Sequence, residues 1–267
     1  FIKKNNDDPK RRIMNNEKKQ NLMVRTITGI LFLAVMITSF LRPQTMILLF
    51  TLITALSLWE FSTLVNAQSG ISINRFITTV AGTYFFLAIA GVNSGWVQTN
   101  AVFVPYLLTV VYLFISELYT KAHHPVVNWA YTMLAQMYIA LPLSMINVLA
   151  FRQSPDGITH FHYLLPLSVF IFLWTNDTGA YCSGSLLGRH KLFPRISPAK
   201  SWEGSIGGGI LVLLVAALIG YIETQGEHLS GLSIPEWVGL GLVVVVFGTW
   251  GDLVESLFKR TLGVKDS

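Results

Sequence analysis

From Gly251 to Asp266 the chain reads Gly-Asp-Leu-Val-Glu-Ser-Leu-Phe-Lys-Arg-Thr-Leu-Gly-Val-Lys-Asp, directly after a long and almost wholly apolar run. Asp252, Glu255, Ser256 and Lys259 stand at i, i+3, i+4 and i+7, which a helix places on one face. A carboxylate inside an apolar helix is costly, so it must face a protein interior or a wet cavity and meet a cation. Mg²⁺ characteristically takes one or two carboxylates and fills its shell with substrate phosphates. Asp252 is therefore the principal candidate metal ligand, with Glu255 and the upstream Asp177 as partners. Lys259, Arg260 and Lys265 follow as candidate anion-binding bases, and cations there also suit the negative end of the helix dipole. Bases snorkelling to lipid headgroups would account for Lys259 and Arg260, but not for Asp252.

A second cluster lies upstream. Trp174-Thr175-Asn176-Asp177-Thr178-Gly179-Ala180-Tyr181 puts a carboxylate about one turn from the end of an apolar helix, flanked by polar residues that suggest a pocket. The following loop, Gly188 to Gly204, holds Arg189, His190, Lys191, Arg195, Lys200, Ser201, Trp202 and Glu203. Ser197-Pro198 is a helix-start signal. Gly204, Gly207, Gly208 and Gly209 then open the next apolar run. Glycines let backbone N–H groups approach an anion at a helix N-terminus, although in membrane helices they also serve close packing. Four bases beside such an opening suit a phosphate.

These clusters need helices to position them. Eight apolar stretches are long enough to cross a bilayer core of about 30 Å: roughly 24–41, 43–65, 76–93, 101–118, 129–149, 163–181, 206–222 and 235–257. With a cytoplasmic N-terminus and eight crossings, all but Arg42 and Arg152 of the 19 Lys and Arg fall inside. This is the bias the positive-inside rule requires. The expected architecture is an all-α polytopic membrane protein with about eight transmembrane helices and both termini cytoplasmic. Residues 1–23 form a basic segment, and 24–267 a transmembrane catalytic domain.

Composition agrees. The 267 residues are 52% hydrophobic and 12% charged, against roughly 25% charged in a soluble domain. The net charge of +5 fits orientation and anionic lipid at the N-terminus, and anionic substrate handling at 188–203 and 259–265. The lone Cys182 excludes an intrachain disulfide and a cysteine zinc site, and is expected to be a packing residue. No cleavable leader is expected, and Met14 and Met23 are candidate starts. Glu60 and Glu117 are candidate interfacial or site-lining carboxylates. His160 and His162 form a His-x-His in an external loop with no partner metal ligands near in sequence, His123-His124 is a loop feature, and His190 is a candidate phosphate contact that the neighbouring bases make redundant. Walker and dinucleotide motifs are absent.

Together the two clusters resemble the phosphatidate cytidylyltransferase (CDP-diacylglycerol synthase) family. Its C-terminal Ser-x-x-Lys-Arg-x-x-x-x-Lys-Asp pattern is met by Ser256, Lys259, Arg260, Lys265 and Asp266. Asn176 to Tyr181 and Ile196 to Gly204 resemble it as well. In the family the pattern runs on through Gly-His-Gly-Gly to Asp-Arg-x-Asp, which includes a further metal carboxylate and implies a C-terminally incomplete site here. The resemblance implies joining of CTP and phosphatidate to give CDP-diacylglycerol and pyrophosphate with Mg²⁺. Asp252, Lys259, Arg260 and Asp177 are implied as catalytic residues. Arg189, Lys191, Lys200, Ser201, Glu203, Ser256, Lys265 and Asp266 are implied to contact substrate, and Asp252, Asp177 and Glu255 to hold metal. The implied setting is a bacterial-type inner membrane with the site facing the cytoplasm. Membrane lipid is a partner, nucleic acid is not, and a homodimer is left open. A CTP-dependent polyprenol kinase is the rival enzyme and an anion transporter the rival non-enzyme. Charge gathered at one face argues against the transporter, and the missing Asp-Gly-x-x-Ala-Arg string against a CDP-alcohol phosphotransferase.

Overall fold

In a bilayer each backbone N–H and C=O must be satisfied within the chain, which leaves helices as the economical solution for long apolar segments. The computed structural model describes residues 9–120, 124–154, 157–226 and 230–264, with backbone alone over 9–22. Its described helices are α1 (Pro9–Ser39), α2 (Pro43–Asn66), α3 (Arg75–Asn93), α4 (Val104–Tyr119), α5 (Pro125–Ala135), α6 (Leu141–Ala150), α7 (Leu164–Leu187), α8 (Trp202–Gln225) and α9 (Ile234–Thr261). Prolines start several of them, at positions where the missing N–H costs nothing. A π-helical turn, Gln136–Ala140, joins α5 to α6 as one run. The eight expected stretches thus each coincide with a helical run.

By length and composition six runs qualify as spans, not eight: Pro43–Asn66, Arg75–Asn93, Asn100–Tyr119, Pro125–Ala150, Trp202–Gln225 and Ile234–Thr261. The apolar part of α1 is short, Met23–Ser39. The 24-residue α7 falls out because Asn176, Asp177 and its serines dilute its hydropathy. The protein is an all-α polytopic membrane protein. Its loops carry two small hairpins that the sequence reading did not foresee. β1 (Phe151–Gln153) pairs antiparallel with β2 (Thr159–Phe161), and β3 (Lys191–Phe193) with β4 (Ser197–Ser201).

The chain divides into two compact units after Met46. In the first, α1 ends in a turn where the Thr45 hydroxyl donates to the Ser39 carbonyl (2.8 Å). The second, residues 47–267, contains both residue clusters. One of its cores joins α7, α8 and α9 through Leu165, Phe172, Val212, Ala216, Trp237 and Val244. Small residues let these helices approach, as is usual where lipid tails match apolar side chains in polarity. A Cβ on Gly208 would stand 2.6 Å from the Asn176 carbonyl oxygen, and one on Gly179 would stand 2.9 Å from the Gly208 Cα. The other core joins α2 to the α5–α6 run through Leu58, Phe61, Val65, Ala135 and Ala140, with Ile73 and Phe258 against it.

Contacts sort the connections of this unit into two ends. At one end the Gln68 amide donates to the Leu262 carbonyl (3.0 Å), and the Ser72 N–H to Asn128 Oδ1 (3.0 Å). Lys200 reaches Asp252 at this end too. At the other, Arg152 donates to the Ser230 carbonyl (2.7 Å), and Gly95 lies against the Thr159 side chain. Arg75, Arg189, Lys191, Arg195, Lys200, Lys259 and Arg260 belong to the first end, and Arg152 to the second.

Candidate functional site

The hairpin between α7 and α8 is built by its own polar groups. Trp202 N–H donates to the His190 carbonyl (2.9 Å), and Ile196 N–H to the Phe193 carbonyl (3.1 Å). The Glu203 carboxylate meets His190 Nδ1 at 2.6 Å and accepts from the His190 and Arg189 N–H groups at 3.2 Å. Glu203 therefore holds the loop that carries the bases, and His190 is its partner. The helix start signalled at Ser197-Pro198 is displaced. Those residues run extended in β4, and Ser201 takes over as N-cap of α8, accepting from the Gly204 N–H (3.2 Å). The physical reason is that pairing with β3 keeps 197–201 extended until the strand ends. Gly204 and Gly208 pack against α7 rather than opening a loop: a Cβ on Gly204 would stand 2.9 Å from the Ala180 carbonyl oxygen.

This arrangement delivers Lys200 to Asp252 of α9, an ion pair between residues 52 positions apart in sequence. Asp252 keeps 48% of its side chain exposed and Lys200 27%. Asp177, on α7, lies within electrostatic range of both. A cavity of about 330 Å³ is lined by Asp177, Gly184, Lys200, Ser205 and Thr249 among others. Beside it Asn176 is buried with its Oδ1 lacking a protein partner. Thr249 belongs to no motif of the sequence.

The C-terminal stripe lies on one face of α9, but its members meet different partners along the helix. Glu255 pairs with Lys259 (2.8 Å) rather than pointing at Asp177. Both line a second cavity, of about 170 Å³, with Glu60, Phe61, Tyr138 and Phe258. Asp252 and Lys259, at i and i+7, lie only about 20° apart around α9 but roughly 10 Å apart along it, so one face reaches two places. Tyr138 lies within electrostatic range of Glu255, Asp252 and Lys259. It comes from the π-helical turn, and its place in the fold was not visible in the sequence.

Arg189, Lys191 and Arg195 are exposed around the hairpin, and Arg260 is exposed on α9, none in an ion pair among the described residues. Ser256 is half-buried on α9. Lys265 and Asp266 lie outside the described residues, as does His123. Glu117 accepts from the Asn128 side chain (3.0 Å). His160 and His162 belong to the opposite end. Cys182 is exposed, not packed.

Among the described residues no three of His, Cys, Asp and Glu gather as a ready cage for a metal. The donors at the first cavity do fit a Mg²⁺ ion that takes most of its oxygens from substrate phosphates and water. Asp177 and Lys200 line that cavity, and the Lys200 amine is paired with Asp252 of α9, whose charge Asp177 also feels. The chemistry open to the site is the gripping of a polyanion: carboxylates for a cation, bases for phosphate oxygens, and an opening at the helix ends.

Comparison with known proteins agrees with the resemblance. The sequence profile of the cytidylyltransferase family matches residues 23–267. A phosphatidate cytidylyltransferase of Haemophilus influenzae is 33% identical over 227 residues, covering 80% of this chain and 77% of its own length. One from Staphylococcus aureus is 30% identical over 251 residues, covering 92% of this chain and 88% of its own length. One from Staphylococcus haemolyticus is 29% identical over the same shares.

Proposed function

The chain belongs to the cytidylyltransferase family, and from that premise we propose that it joins CTP to phosphatidate, giving CDP-diacylglycerol and pyrophosphate. The observation that carries the site assignment is the meeting of Lys200 with Asp252 beside Asp177. It unites two clusters that the sequence keeps apart, beside a cavity at the basic end of the bundle.

A phosphatidate oxygen attacks the α-phosphorus of CTP as pyrophosphate departs, so no protein nucleophile is required. The protein positions two anions and offsets the charge that develops between them. Asp252, with Asp177 on α7, would hold Mg²⁺. When bound, this ion supplies Lewis-acid stabilisation of the phosphate oxygens. Lys200 sits beside Asp252 and serves phosphate oxygens from there. Arg189, Lys191 and Arg195 on the hairpin, with Lys259 and Arg260 on α9, draw the triphosphate to this end. Ser201 and Glu203 act through the hairpin they hold in place. Ser256, Lys265 and Asp266 complete the substrate-binding set on α9 and beyond. Eight crossings, counting α1 and α7, would put this end and both termini in the cytoplasm of a bacterial-type inner membrane. Clustered bases at one end of the bundle support that orientation. CTP then arrives from solution and phosphatidate from the adjacent leaflet.

The test is incubation of the full-length protein with labelled CTP, phosphatidate and Mg²⁺, followed by lipid extraction. Label in a CDP-lipid with release of pyrophosphate is expected. Lipid phosphate with CDP would instead mark transfer of the γ-phosphate, and neither product would overturn the assignment.

A further inference from the structure

Resting on the reading of the chain as a CTP-using enzyme, we propose that the cavity between α2 and α9 takes the cytosine ring of the nucleotide, and that Glu60 recognises its exocyclic amine. The cavity holds about 170 Å³, below the span of roughly 300–1,000 Å³ usual for drug-sized ligands. It suits one flat ring, not a whole nucleotide. One wall is aromatic. Phe258 stacks on Phe61 (centroids 5.4 Å apart, 28° between planes) and Tyr138 lies nearly parallel to Phe258 (6.2 Å, 19°). Such faces hold any base, since every base has a π-face. Discrimination then falls to polar groups at the ring's edge.

Glu60 is the polar group at hand. It stands within the apolar α2, where a carboxylate marks a functional position by default. No hydrogen bond or ion pair engages it among the described residues, whereas Glu255 in the same cavity is paired with Lys259. A carboxylate accepts from the amino group of cytosine. It repels the carbonyl oxygen that uracil carries at that position, and a site built to bond one group rejects an analogue lacking it. Lys259 lines this cavity as well and lies one turn from Glu255 on the helix that carries Asp252. The base and the phosphates would thus be read from successive turns of α9.

The experiment compares CTP with UTP as substrate for the full-length protein and for Glu60→Gln, with phosphatidate and Mg²⁺ in nanodiscs. A glutamine amide can donate to uracil as well as accept from cytosine. The expected result is a fall of about tenfold or more in the CTP-over-UTP ratio of kcat/KM, with an absolute gain on UTP that misfolding cannot produce. If the variant is inactive with both, binding decides: supporting behaviour is loss of CTP affinity with inorganic triphosphate still bound as by the wild type. An unchanged CTP preference, or an effect confined to the KM for phosphatidate, overturns the assignment and leaves the enzyme's function standing. A wild type that forms no CDP-lipid removes the premise, and the assignment with it.

Discussion

Asp252 sits in a helix whose backbone N–H groups are already spent, so its charge is met by another side chain, by an ion or by water at its open side. Lys200 meets it in this structure. The carboxylate is about half exposed, which keeps the pair's own contribution to stability small, roughly 1 kcal/mol or less. Its value is positional. Asp252→Asn is expected to lower CDP-lipid formation by about 10²- to 10³-fold, the cost typical of removing one preorganised electrostatic group. Insertion and thermal unfolding in detergent should stay close to wild type. Near-normal turnover in a well-folded Asp252→Asn protein would remove this residue from the metal-holding role. Lys259→Gln is expected to act chiefly on nucleotide use, read as a raised KM for CTP with the KM for phosphatidate little changed.

At the scale of elements, the site exists because α7 and α8 touch backbone to backbone. Gly179 and Gly208 face each other, and a Cβ on Gly208 would enter the space of Asn176. Gly208→Ala is therefore expected to force the helices apart next to Asp177. It should cost about 1–3 kcal/mol as an overpacking change and lower activity with it; an unfolding curve in detergent that matches wild type would show that the contact yields. Ser201→Ala removes the cap of α8 and should cost on the order of 1 kcal/mol. Its effect on activity would run through Lys200, the residue before it. In the sequence Gly207 and Gly208 are only a weak sign of an anion cradle, since membrane helices also use glycine for packing. The structure has them packing, because α7 lies close enough to fill the space an anion would need: a Cβ on Gly207 would collide with Ser183.

Across the whole molecule, charge sorts by end. Described bases of the second unit gather where α7 ends and α8 begins, with Arg152 alone opposite. In a Cys182→Ser background, Arg195→Cys and Ser94→Cys should be labelled by a membrane-impermeant thiol reagent from opposite sides of sealed vesicles. Labelling of both from one side would break the alternation of spans. Much of this was legible in the chain. Apolar runs punctuated by Pro, Gly and charge fix where helices form, because an unpaired backbone has no place in lipid. The loop bases fix which ends belong together. Asp177 and Asp252 announced themselves by being charged where charge is expensive. What the chain could not state was distance between segments far apart in sequence. Whether Asp252 meets Lys200, and that Tyr138 and Glu60 join the Glu255–Lys259 pair in a separate cavity, depend on helix rotation and crossing. Those are set by the summed packing of many small contacts, such as Gly208 on Asn176, and no local pattern of residues encodes them. Tertiary structure alone made one stripe of side chains into two chambers.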